Sequence, residues 1–132
     1  MRRLFGFIMI LLACVCTGAS VMITEFCPDP YLHDDADEYI VLSGNGSLDD
    51  VVISDGRGGF RFPPGMRISG TLIVARSGAA FRESHGVLPD FEWLDYSPDV
   101  PEVIPGDTLR LANSRDMLIL YEDGSVVQNI SW

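Results

Sequence analysis

The sequence predicts an all-β protein built as a β-sandwich, and three observations carry that prediction. About seven or eight short apolar runs recur at the 8–12-residue spacing of sandwich strands, each closed by Gly, Pro, Asn or Asp. A single stretch carries helix start and stop signals. The chain has 132 residues, of which 47% are hydrophobic, which suits one domain with a core of modest size.

Residues 1–19 read as a signal segment and 20–132 as the folded domain. Arg2 and Arg3 precede the apolar run Leu4 to Ala13, and Thr17-Gly18-Ala19 offers a small-residue cleavage site after Ala19. The apolar run is shorter than the roughly 20 residues a spanning helix needs. Two other readings stay open: Leu11-Leu12-Ala13-Cys14 resembles a lipoprotein signal with lipid on Cys14, and an uncleaved segment would act as a membrane anchor.

Val21 to Cys27 mixes β-branched and apolar residues and stops at Pro28-Asp29-Pro30, because proline cannot donate to a ladder. An acidic loop leads into the strand Glu38 to Leu42, whose consecutive apolar residues imply burial on both faces. Ser43 to Ser47 reads as a Gly/Asn turn. Leu48 to Ser54 and Phe60 to Phe62 form strands around the hairpin turn Asp55-Gly56-Arg57-Gly58-Gly59. Pro63-Pro64-Gly65 turns the chain into a central strand at Arg67 to Arg76.

Gly78 to Ser84 is the one predicted helix, with Ser77 as N-cap and Gly86 as its stop. Four prolines then break up Val87 to Pro105, a long connection with a short strand near Phe91 to Leu94. Its rings Phe91, Trp93 and Tyr96 are expected to lid the core. Thr108 to Leu111 alternates as a strand and Asn113 to Asp116 turns. Met117 to Tyr121 and Val126 to Trp132 are strands joined by the tight Asp123-Gly124 signal. Arg61 and Arg110 within strands would guard against edge pairing.

Charge narrows the partners. The net charge is −10 and every basic residue is arginine. Such a field repels phosphate backbones and anionic headgroups, so nucleic acid is not an expected partner and membrane contact is expected only through the leader or a lipid anchor. Outside the leader Cys27 is the only thiol, expected to be a small buried residue.

Several stretches in order resemble the lamin-tail domain family: Ile23-Thr24-Glu25, Asp37-Glu38-Tyr39-Ile40-Val41-Leu42, Val52-Ile53-Ser54-Asp55-Gly56, Phe60-Arg61-Phe62-Pro63, Leu72-Ile73-Val74-Ala75-Arg76, and Leu109 to Asn113 leading to Leu118 to Gly124. The resemblance covers Val21 to Trp132. It implies an immunoglobulin-like sandwich without catalytic residues, used for binding, targeting or spacing. The implied partner is a protein or cell-envelope component outside the cytoplasm. Exported prokaryotic members are often joined to nucleases or phospholipase-D-like enzymes, so an alternative makes this chain the leading domain of a longer hydrolase. A further alternative is a surface lipoprotein held through Cys14.

The candidate metal ligands are Asp34, Asp35, Asp37 and Glu38, hard oxygen donors of the type calcium takes. They lack the spacing and central glycine of an EF-hand loop, and a solvated inter-strand loop is the competing reading. No other cofactor is expected. Cys27, His33 and Asp34 lack zinc-site spacing. Ser84 and His85 are neighbours on a helix and are expected to point apart, leaving His85 a surface residue. Gly56 to Gly59 lacks the helix and lysine of a phosphate loop. Asn45-Gly46-Ser47 and Asn129-Ile130-Ser131 match the glycosylation pattern, with Asn45 placed in a turn.

Overall fold

A computed structural model describes residues 9–10, 20–29, 32–94, 97–105, 109–112 and 114–132. The leader with Cys14, and Tyr96 of the predicted aromatic lid, lie outside them, apart from the two residues of β1. Two five-stranded sheets face each other as an all-β, immunoglobulin-like sandwich. One sheet has the order β1(Met9–Ile10), β2(Val21–Cys27), β3(Tyr39–Ser47), β6(Arg67–Ala75), β7(Phe91–Glu92). The other runs β10(Ser125–Ser131), β9(Met117–Glu122), β4(Val51–Ser54), β5(Gly59–Arg61), β8(Ile104–Pro105).

The core lies between the sheets because alternate residues of the strands point inward. Ile40 and Leu42 of β3, Ile53 of β4, Val74 of β6 and Leu118 and Leu120 of β9 are fully buried there. In β2 the alternation changes phase. Val21 and Ile23 face inward, then Phe26, because the register slips between Ile23 and Glu25. One extra residue in a bulge moves all later side chains to the opposite face.

The two-sided burial expected at the start of β3 also has a visible cause. Tyr39 turns away from the main core into a second cluster with Cys27, Ala75 and Phe81, against which Val41 packs. Phe81 belongs to α1(Gly78–His85), so the helix covers the outer face of that sheet. Ser77 caps the helix by accepting the Ala80 N–H at 3.2 Å, and the Gly86 N–H closes it on the Arg82 carbonyl. Helix, cap and stop agree with the sequence signals. Cys27 is buried as expected, and burial pushes its thiol up to about 11.

Three expectations need correction. Ser43 to Ser47 is not a turn: β3 continues through it, paired with β6 from Ser43↔Thr71 to Ser47↔Arg67. Gly44 is there for clearance, since a Cβ would overlap the Ser20 carbonyl oxygen. Asn45 is therefore a ladder residue, as is Asn129 in β10. Of the strand expected at Thr108 to Leu111, Thr108 lies outside the described residues and Leu109 to Leu111 form no strand, so Arg110 cannot guard an edge there. Arg61 lies in β5, which has neighbours on both sides.

The connection after α1 returns in parallel beside β6, with Val74↔Phe91 and Ala75↔Glu92 in register. Phe91 and Trp93 do lid the core: Trp93 stacks on Phe60 at 5.9 Å and Phe91 meets Phe62 edge-on at 5.4 Å. The Asp123-Gly124 hairpin also forms as expected. Both residues take positive φ, 50° and 75°, as a two-residue turn matching strand twist requires.

Candidate functional site

The segment Leu109–Ala112 has the right alternation for a strand, with Leu109 and Leu111 buried and Arg110 exposed. What it lacks is a ladder. Two of its N–H groups go to carboxylates instead. The Arg110 N–H donates to Asp55 Oδ2 at 3.0 Å and the Ala112 N–H donates to Asp116 Oδ2 at 2.7 Å. Trp132 Nε1 adds a bond to the Ala112 carbonyl at 2.9 Å. Buried backbone groups must be paired, and here side chains supply the pairing that a neighbouring strand would give.

This anchoring shapes a cleft of about 690 Å³ where β3 begins and β6 ends, lined by Asp34, Asp35, Glu38, Arg57, Arg76 and Arg110 among others. Three of the chain's nine basic residues meet there. Asp55 sets Arg57 in place, because its Oδ1 accepts the Arg57 and Gly58 N–H groups at 2.8 and 2.7 Å, a side-chain-closed turn. Burial raises the Asp55 pKa, but the N–H groups of Gly58, Arg110 and Arg57 outweigh it, and the net shift is downward. Arg57 Nη2 also lies 3.4 Å from Asp116 Oδ2, with its side chain mostly exposed. Such a pair contributes little stability and leaves the guanidinium accessible.

Of the four candidate calcium ligands, Asp34, Asp35 and Glu38 line this cleft, while Asp37 is fully buried and accepts the Leu32 N–H at 3.1 Å. Asp34 and Asp35 both take left-handed φ, 66° and 54°. Their carbonyls face Arg76, whose Nη1 donates to them at 2.9 and 3.3 Å. The guanidinium already satisfies these two backbone oxygens. Among the described residues no group of three or more His, Cys, Asp or Glu side chains is placed to hold a metal ion.

Glu38 is the anomaly of the site. It is only 3% exposed, and its Oε2 has no hydrogen-bond partner. Burial pushes its pKa up to about 8, opposed by Arg76, reinforced by Asp35, and opposed again by the Leu111 backbone and Arg110.

Ser84 and His85 do not point apart. Ser84 Oγ lies 2.8 Å from His85 Nδ1, because the hydroxyl folds back over the last helical turn, where it also reaches the Ala80 and Phe81 carbonyls. The imidazole stacks on Phe81 at 4.2 Å and meets Tyr39 edge-on at 5.1 Å. These contacts finish and seat α1. Sequence reasoning missed the arginine cleft, since its residues are scattered from 34 to 112. The available signal was the rarity of basic residues, which makes each arginine's position informative. Comparison with family models, curated proteins and solved structures returned no match.

Proposed function

We propose that the chain is an exported, non-catalytic, lamin-tail-like sandwich that binds or positions a partner outside the cytoplasm. The observation that carries this reading is the anchoring of residues 110–112 by Asp55 and Asp116. A rigid sandwich thereby presents Arg57 and Arg110 on fixed backbone at one end, and recognition on sandwich folds is concentrated in such end loops. The leader pattern supports export, and the ordered strand motifs support the family likeness. Charged hydrogen-bond donors on a rigid frame suit recognition, since little side-chain and loop ordering is lost on binding.

The test is expression of the full chain with a C-terminal tag in a secreting bacterial host. Fractionation and mass spectrometry of the N-terminus then follow it. The expected outcome is a processed chain starting at Ser20, recovered with the envelope and released by charge reversal of Arg57 and Arg110 together. Cytoplasmic protein still carrying Met1, or equal retention of wild type and the reversed variant, overturns the reading.

A further inference from the structure

We propose that the cleft at the start of β3 binds a single carboxylate group, held between the Glu38 carboxyl and the Arg110 guanidinium with Arg57 beside it. This rests on the binding-module reading and names its ligand chemistry. The first support is the unpartnered, buried Oε2 of Glu38, a residue that lines the cleft. A buried polar atom with no partner has lost its water without recompense, so a ligand that pairs it recovers that loss. With the acid form favoured near neutrality, the oxygen offers an O–H donor, and a donor needs an acceptor.

The charged groups facing Glu38 select among acceptors. Arg76 is committed to the Asp34 and Asp35 carbonyls, and Arg57 lies against Asp116. Arg110 has its backbone N–H fixed by Asp55, while its guanidinium has no ion-pair partner among the described residues. Three guanidinium groups gather here in a molecule of net charge −10, facing the carboxylates of Asp34 and Asp35, with Asp55 and Asp116 beside Arg57. A cationic ligand meets the arginines. A phosphate dianion meets two aspartates and the overall negative field. A carboxylate carries one charge, accepts two parallel bonds from a guanidinium, and forms a charge-assisted bond with a carboxylic acid. The cleft volume leaves room for more than the carboxylate, so the group belongs either to a small acid or to the C-terminus of a peptide.

Amide NMR titration of the full chain at pH 6 separates these sources. The probes are acetate, an N-acetylated tetra-alanine with a free C-terminus, its C-terminal amide, and inorganic phosphate. The free peptide is expected to shift the Arg110 and Leu111 amides and the amidated peptide is not; a response to acetate of equal affinity assigns a small acid instead. R110A is expected to weaken binding at least tenfold. Glu38→Gln, which keeps a donor, retains binding and loses its pH dependence, and Glu38→Leu weakens it at least tenfold while its circular dichroism stays native. Equal binding of amide and free peptide, equal shifts with phosphate, or unchanged affinity in both E38L and R110A overturns the proposal. Envelope retention that survives such a result would leave the module reading standing.

Discussion

Gln128 and Ile23, on opposite sheets, share two hydrogen bonds: Gln128 Oε1 accepts the Ile23 N–H at 2.7 Å and Gln128 Nε2 donates to the Ile23 carbonyl at 2.9 Å. Each residue stands beside a bulge in its own strand. The side-chain amide thus acts as the missing ladder partner for the open edge of β2. Glu122 continues the work by accepting the Val21 N–H at 3.0 Å and the Ser20 hydroxyl at 2.7 Å. On the far side, the Glu92 N–H donates to the Pro101 carbonyl and its own carbonyl accepts the Val103 N–H, joining β7 through an isolated bridge to the segment that leads into β8. Both lateral seams of the sandwich are therefore closed by hydrogen bonds, which answers the edge problem without the arginines Arg61 and Arg110.

Gln128→Ala leaves two buried backbone groups of Ile23 unpaired and is expected to cost about 2–4 kcal/mol. Urea unfolding followed by tryptophan fluorescence measures it. A loss under about 0.5 kcal/mol would show that water replaces the amide at this seam.

Glu92 is fully buried, and its carboxylate holds the start of α1: Oε2 accepts the Gly78 N–H at 2.6 Å and the Ser97 hydroxyl at 2.8 Å. Glu92→Ala strands these donors and is expected to destabilise by about 3–5 kcal/mol. Glu92→Gln keeps one acceptor and should cost less. Hydrogen exchange should show the loss first in the amides of Gly78 to Phe81.

The pH dependence of stability has a definite sign at Glu38. Its folded pKa of about 8 stands above the ordinary 4.5 of a glutamate, so the native state holds the proton more tightly. Stability from this group is fully present below about 4.5 and is lost as pH rises toward about 8. Asp55 acts in the opposite sense: its lowered pKa gives stability present above the usual carboxylate range and lost on acidification. Glu38→Gln is expected to flatten the fall between pH 5 and 8, by about 1 kcal/mol or more. Thermal melts of both proteins across that range check it, and parallel curves would refute the assignment.

Gly44→Ala places a methyl group against the Ser20 carbonyl oxygen. Backbone cannot swing aside as a side-chain tip can, so a loss of about 2–4 kcal/mol and weaker β2–β3 pairing are expected. Gly70, its partner across the ladder, faces open space and takes φ 98°, so alanine there should cost only its backbone strain.

Calcium should raise the melting temperature no more than magnesium does, because Arg76 already faces the Asp34 and Asp35 carbonyls. A melt with millimolar chloride salts of each ion measures this. A calcium-specific rise would restore the acidic loop as a metal site.

The sequence by itself determined the strands wherever a residue's own surroundings decide its conformation. Val21 to Cys27, the Ser77 cap, the Gly86 stop and the Asp123-Gly124 turn follow from alternation, capping and φ preference, which act over a few residues. Tertiary structure decided whatever depends on a distant partner. Ser43 to Ser47 became strand because Arg67 to Thr71 offered it a ladder. Residues 109–112 have no ladder because the distant Asp55 and the nearby Asp116 take N–H groups there. The fold likewise turned Glu38 from one acid in an acidic run into a buried part of an arginine cleft. A hydrogen bond between residues 55 positions apart leaves no period in the sequence, so only the folded chain reveals it.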